Sequence, residues 1–330
     1  MLKMEQHLNK SIIDYKTHPI AIGDYSIGTN AISKLYSYVT KWIQNRLPGA
    51  IIYGYPRIGK TGAVRYLMRV LEEDLGHNFP LYHITCKSRK NPNENAFFED
   101  ILVGIKHDLA LVGSKANVKR NRLVNLLIEK AEQAKSNKVI IFLDEAQNLF
   151  EFEYRWLMDV YNDLNLAQVH LIVFLVGQRE LLNQRTVYRD TGRYQLVGRF
   201  MSQAYEFKGI LDLEDLEEFL LGYDVYSEYP IGSSCSYTQF YFSEAFKNGF
   251  RLSSLASTIW EIIEESRRIN GIKGNLDIPM QYIVLFIENL FLEYGEDEKD
   301  YDIIHIPTEA LKELFEGTGY LEWEIYGRIT

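Results

Sequence analysis

The chain has 330 residues, 46% of them apolar, and a formal net charge of −9, enough for one large domain or two ordinary ones and against a generic nucleic-acid binder, though not against local basic patches. Two distant cysteines, Cys86 and Cys235, suggest neither a disulfide framework nor a zinc site and fit a reducing cytoplasm. The start of the chain lacks the apolar core of a signal peptide, and no run of about 18 apolar residues exists, so no membrane partner is expected.

In chain order, residues 1–28 mix charges with His18-Pro19 and Gly23 and read as an arm that packs on or reaches out from the main domain. Asn30 to Asn45 carries helical spacing through Ile32, Leu35, Tyr36, Val39, Trp42 and Ile43. Ala50 to Tyr53 reads as a strand, Lys60 to Asp74 as a helix stopped near Gly76, and Leu81 to Thr85 as the next strand. Asn95 to Val112 and Arg122 to Ala134 read as helices. The apolar strand Lys138 to Leu143 follows, then a helix over Glu153–Asn165, a strand over Val169–Val176 and a short strand over Ala204–Phe207. This alternation predicts a parallel sheet flanked by crossover helices over 29–209. From 210 to 330 the pattern turns helical: Leu213–Leu221, Phe240–Asn248, Leu252–Arg268 and Pro279–Tyr294.

Two stretches carry the chemistry. Gly54-Tyr55-Pro56-Arg57-Ile58-Gly59-Lys60-Thr61 fits the phosphate-binding loop G-x-x-x-x-G-K-[ST] and sits between a predicted strand and a predicted helix, the context the motif needs. Backbone N–H groups from Gly54 through Gly62 would wrap the phosphates of ATP. Lys60 would reach the β- and γ-phosphates, and the Thr61 hydroxyl would sit on Mg²⁺. Pro56 lacks an N–H and stiffens the loop, and Arg57 is placed to reach a phosphate or a neighbouring subunit. About 80 residues further on, the strand from Lys138 ends in Asp144 and Glu145. Asp144 is expected to hold Mg²⁺ and Glu145 to orient and deprotonate the attacking water. The order of elements suggests the NTPase group with an additional strand and a catalytic glutamate.

With these motifs the chain resembles AAA+ ATPases, a fold of parallel sheet and flanking helices followed by a helical lid. The stretches Leu143-Asp144-Glu145-Ala146-Gln147-Asn148-Leu149 and Val176-Gly177-Gln178-Arg179-Glu180-Leu181 carry the resemblance. The phosphate loop and Val197-Gly198-Arg199-Phe200-Met201 look most similar to transposition regulators of the TnsC/TniB type, relatives of the ExeA type. The resemblance implies a sensor at Gln178 and an arginine acting in trans, with Arg185, Arg189, Arg193 and Arg199 as candidates and Arg193 or Arg199 favoured. It also implies a nucleotide-reporting arginine at Arg251, before the long helix of the lid.

Two basic clusters stand out in the acidic chain: Lys87, Arg89 and Lys90, and then Lys115, Lys119, Arg120 and Arg122. Both read as lying in or beside loops, where they could contact the phosphates of double-stranded DNA. The acidic run Glu296–Asp300 reads as solvated loop or a docking site for a basic partner. The tyrosines at 223, 226, 229, 237 and 241 read as packing.

The expected function is an ATP-dependent regulator of DNA transposition. It would assemble as a ring or helix, a hexamer or heptamer per turn, on duplex DNA and link a target-selection protein to a transposase. The competing expectation is a signalling or defence switch ATPase acting on a protein effector. An ExeA-like secretion ATPase and a metabolic kinase stand behind these two.

Overall fold

The structure is a computed structural model and describes residues 15–74, 79–113, 115–295 and 306–326. The expected helix stop at Gly76, the acidic run at 296–300 and the first part of the N-terminal arm lie outside the described residues. In chain order the elements are α1 (Pro19–Ile22), α2 (Asn30–Gln44), β1 (Gly49–Tyr53), α3 (Lys60–Asp74), β2 (Leu81–Thr85), α4 (Glu94–Gly104) and α5 (Ala116–Gln133). There follow β3 (Lys138–Asp144), α6 (Glu151–Leu166), β4 (His170–Gly177), α7 (Glu180–Asp190), α8 (Tyr194–Phe200) and β5 (Gln203–Glu206). The helical remainder is α9 (Leu213–Leu221), α10 (Tyr237–Tyr241), α11 (Ser243–Lys247), α12 (Ala256–Ile269), α13 (Met280–Gly295), α14 (Thr308–Glu316) and α15 (Tyr320–Tyr326). The chain divides into two units, one of residues 31–209 and one joining 1–30 to 210–330.

In the first unit five parallel strands form one sheet in the order β2-β3-β4-β1-β5. The central strands are apolar throughout because both of their faces are covered. Val139, Ile141 and Leu143 of β3, with Leu171, Val173 and Leu175 of β4, pack into the layer of α4 to α8. Their neighbours Ile140, Phe142, Ile172, Phe174 and Val176 pack into the layer of α2 and α3. The topology puts β4 between β1 and β3, the additional strand expected from the element order. The ends of β1, β3 and β4 therefore lie side by side, where an open α/β sheet places its ligands.

Helix boundaries differ most from the sequence expectation in three places. Helix α4 stops at Gly104 rather than reaching Val112: Lys106 takes a left-handed φ of 57°, and Gly104 lies so close to Ile84 that a Cβ would sit 3.0 Å from it. Helix α5 starts early, at Ala116, after the extended Lys115. The expected helix over 240–248 is two short helices, broken at Phe242 by φ −118° and ψ 53°.

The second unit has an aromatic core. The His18 imidazole is fully buried, with ring centroids of Tyr229, Tyr237, Phe240 and Tyr241 at 4.6 to 4.8 Å. Its Nδ1 accepts from the Ile20 N–H at 3.1 Å, which caps α1. Tyr25 meets Tyr223 hydroxyl to hydroxyl at 3.0 Å. Residues 15–30 thus pack within the helical unit. Tyr223, Tyr237 and Tyr241 are buried as packing residues, whereas Tyr226 is exposed. Among the described residues no helix is long and apolar enough to cross a membrane.

Candidate nucleotide site

The phosphate loop turns from β1 into α3, and its sequence is dictated by close approaches. A Cβ on Gly54 would lie 2.4 Å from the Phe207 carbonyl oxygen, so only glycine fits there. Gly59 has φ 103°, a conformation that L side chains rarely adopt. Arg57 takes the left-handed φ of 64° at the exposed tip, beside exposed Pro56, while Ile58 turns inward and is fully buried. Gly62 has open space around it.

Lys60 opens α3 and is buried, its Nζ donating to the carbonyls of Gly54 at 2.9 Å and Tyr55 at 2.8 Å. The ammonium thus sits inside the curve of the loop. Burial holds its pKa below the ordinary lysine value, opposed by the charges of Glu145, Asp144 and Glu180.

The Thr61 hydroxyl donates to Asp144 Oδ2 at 2.7 Å. Two cis ligands of an octahedral Mg²⁺ stand about 3 Å apart, so this oxygen pair would fit such a shared ion. The His83 Nε2 on β2 donates to the same Oδ2 at 3.1 Å, and the Glu145 N–H to Oδ1 at 2.9 Å. Burial pushes the Asp144 carboxyl up, but the hydrogen bonds from His83, Thr61 and the Glu145 backbone outweigh it and hold the group below the usual carboxylate range. Asp144 is therefore ionised and oriented, as a metal ligand must be.

Glu145 follows with φ 54° and ψ 35°, a left-handed conformation that costs a non-glycine residue on the order of 1–3 kcal/mol. The turn closes over it through Asn148 N–H to Glu145 O at 3.0 Å. Its Oε2 accepts from Gln147 Nε2 at 2.6 Å. Gln178 follows the end of β4, and its N–H donates to Gln147 Oε1 at 3.2 Å.

Three of the four arginines expected to act in trans have partners within their own unit. Arg193 Nε donates to Glu151 at 2.7 Å, and Arg199 donates to Asn162 at 3.0 Å while lying 4.3 Å over the Tyr161 ring. Arg189 pairs with neighbouring Asp190, and Arg185 is half-buried on α7. Arg251 belongs to the helical unit, where it donates to the carbonyls of Phe246 at 3.1 Å and Phe250 at 2.6 Å and lies over the Phe246 ring.

The basic clusters require correction. Lys119, Arg120 and Arg122 lie in the first two turns of α5, beside the loop that precedes it. Lys119 is 1% exposed and paired with Glu99 of α4, so it is an internal tie between two helices rather than a surface contact for DNA. Arg89 bridges Asp100 of α4 and Glu153 of α6, and Arg120 reaches Asp159 of α6. Arg122 donates to the Leu109 carbonyl at 2.7 Å. Lys87 is exposed and pairs with Asp100, and Lys115 is exposed ahead of α5. The opposite charges lie far away in sequence, which is why the clusters read as free basic surfaces.

Sequence reasoning misses His83 and the linking position of Gln147. Nothing in the run Leu81–Thr85 signals that His83 would meet Asp144, because the pairing of β2 with β3 creates the contact. Gln147 stands inside the motif after Glu145, and its spacing is the available signal.

A parallel sheet with a strand inserted between the phosphate-loop strand and the carboxylate strand, and flanked by helices, is the AAA+ P-loop fold, here with a helical C-terminal region. Residues 48–184 match the family model described as "AAA domain". No curated protein matches the sequence. Among solved structures, the ORC2 protein of Aeropyrum pernix in its ADPNP–ADP complexes is 14% identical, with 94% of this chain and 88% of that one covered at a TM-score of 0.48. Cdc6p of Pyrobaculum aerophilum is 15% identical, with 91% and 82% covered at 0.44. Domain III of the replication initiation protein DnaA of Thermotoga maritima is 15% identical, with 84% and 98% covered at 0.35.

Proposed function

We propose that this protein is a Mg²⁺-dependent ATPase whose turnover switches an assembly of the chain on duplex DNA, in the manner of transposition regulators of the TnsC/TniB type. The observation that carries the ATPase reading is the 2.7 Å contact of Thr61 with Asp144, which joins the phosphate loop to the carboxylate strand directly before Glu145. Thr61 and Asp144 would hold Mg²⁺, which would supply charge neutralisation for the phosphates. Lys60 draws in the β- and γ-phosphates. Glu145 takes a proton from water as the water oxygen bonds to the γ-phosphorus and the bond to the β-phosphate oxygen breaks, giving ADP and phosphate. Gln178 orients the water or the γ-phosphate. Arg193 or Arg199 of a neighbouring copy stabilises the developing charge after leaving Glu151 or Asn162.

The DNA and transposition parts rest on the phrases Gly-x-Pro-Arg-x-Gly-Lys-Thr and Val197-Gly198-Arg199-Phe200-Met201. Exposed Lys87, Lys90 and Lys115 are the remaining candidates for phosphate contact. In this reading a target-selection protein and a transposase bind the assembly. The second reading, a signalling or defence switch acting on a protein effector, is favoured by the internal pairing of Arg89, Lys119 and Arg120.

Electron microscopy of the purified protein with a non-hydrolysable ATP analogue, with and without duplex DNA, separates the two. DNA-dependent rings or filaments that vanish in Lys60→Ala support the regulator. Nucleotide-bound particles indifferent to DNA support the switch.

A further inference from the structure

The Gln147 carboxamide joins the carboxylate expected to activate water to the end of the strand that carries Gln178. Its Nε2 donates to Glu145 Oε2 at 2.6 Å, and its Oε1 accepts from the Gln178 N–H at 3.2 Å. The same side chain is the nearest neighbour of Gly177: a Cβ there would fall 2.2 Å from Gln147 Oε1 and 2.9 Å from Leu181 Cδ1. The backbone beneath is fixed as well. Gln184 of α7 donates its Nε2 to the Gln147 carbonyl at 2.8 Å and the Leu149 carbonyl at 3.3 Å, while its Oε1 accepts from the Tyr154 hydroxyl at 3.3 Å.

From this geometry we propose that Gln147 is the positioning residue of the hydrolytic site, setting the orientation of Glu145 by reference to the end of β4. The proposal rests on the ATPase reading above. A primary amide suits the task because it donates at one end and accepts at the other, so it spans a carboxylate and a backbone N–H with no charge of its own. With Oε2 held, Oε1 of Glu145 is left to face the water. Glu145 sits in a left-handed turn, so nothing in a relaxed helix or strand fixes its side chain. Gln147 and the turn do so together. A misplacement of about 1 Å in such a group costs about 100-fold in rate.

The test is steady-state ATP hydrolysis by the full chain with Mg²⁺, alongside thermal unfolding. Gln147→Ala and the similarly sized but non-bonding Gln147→Met are expected to lower kcat by about 10- to 100-fold, with the KM for ATP and the melting temperature nearly unchanged. Gly177→Ala pushes a methyl into the amide from the other side and is expected to lower kcat similarly. In the double variant Gly177→Ala/Gln147→Ala the losses do not multiply, because the amide that the added methyl displaces is already gone. Wild-type kcat in both Gln147 variants, a raised kcat, or a loss confined to KM overturns the positioning role. Glu145→Gln keeps the two outcomes apart: if wild-type turnover is absent the ATPase reading itself falls, and if turnover survives Glu145→Gln the role of Glu145 falls, the proposal falling with either.

Discussion

The sheet unit and the helical unit both bury polar groups, but they use them differently. In the sheet unit the buried or half-buried polar groups Lys60, Asp144, Glu145 and His83 converge at the ends of β1, β2 and β3, where aliphatic strands hold them in fixed register. In the helical unit they are dispersed ties. Arg267 of α12 donates to Glu324 of α15 at 3.0 Å with both side chains buried. Both carboxylate oxygens of Asp224 accept backbone N–H groups, from Leu252 at 2.8 Å and Ser253 at 2.9 Å. His18 fills an aromatic cage. The difference teaches that burial of a charge does not by itself mark a functional site. Convergence on one sheet end does, because a ligand needs several groups at one place.

That contrast can be broken at several points. The largest stability effect is expected from Glu324→Ala, which leaves Arg267 buried without its charged partner, only the Gly274 carbonyl remaining at 3.2 Å. Urea unfolding should show a loss of about 3–5 kcal/mol, and the apolar double replacement Arg267→Met/Glu324→Leu should recover most of it. If the single variant costs nothing, the ion pair is not a tie of this kind. Next comes Gly54→Ala in the sheet unit. The added methyl meets the Phe207 carbonyl at 2.4 Å, so the loop must shift. Stability should fall by about 1–3 kcal/mol, and ATP affinity measured by calorimetry should fall with it. Unchanged affinity would show that the loop does not hold the nucleotide.

Asp224→Ala removes the cap over Leu252 and Ser253 and should cost about 1–2 kcal/mol in the same unfolding assay. The smallest effect at neutral pH is expected from His18→Phe. Burial lowers the His18 pKa from 6.5 to about 4, so the folded state holds the ring neutral where the unfolded chain protonates it. Its contribution to stability is complete above pH 6.5 and is lost as pH falls from 6.5 toward 4. Unfolding midpoints across that window should drop less steeply in His18→Phe than in the wild type. Parallel profiles would contradict the neutral caged ring.

Much of the sheet unit is legible in the sequence because its signals are local. Every strand lies within a residue or so of its expected place, since continuous apolar runs between turns leave little choice, and the loop from Gly54 to Thr61 and the pair Asp144-Glu145 are contiguous motifs. What the sequence hides depends on distant partners. The acids that neutralise Arg89, Lys119 and Arg120 lie on other helices, and His83 meets Asp144 only because β2 lies beside β3. The breaks at Gly104 and Phe242 follow from packing and backbone conformation that periodicity does not record. The cage around His18 joins residues some 210 apart in the chain, so the sequence alone leaves open whether the N-terminal arm packs on the main domain or reaches out from it.

The most direct test of the central claim is Glu145→Gln, measured for ATP binding and for Mg²⁺-dependent turnover in parallel with the wild type. The expected result is ATP affinity close to wild type with kcat reduced by at least about 100-fold, because the phosphate loop and the Thr61–Asp144 pair remain while the proton acceptor is gone. Turnover at the wild-type rate in Glu145→Gln, or a wild-type protein that binds no ATP, would contradict it.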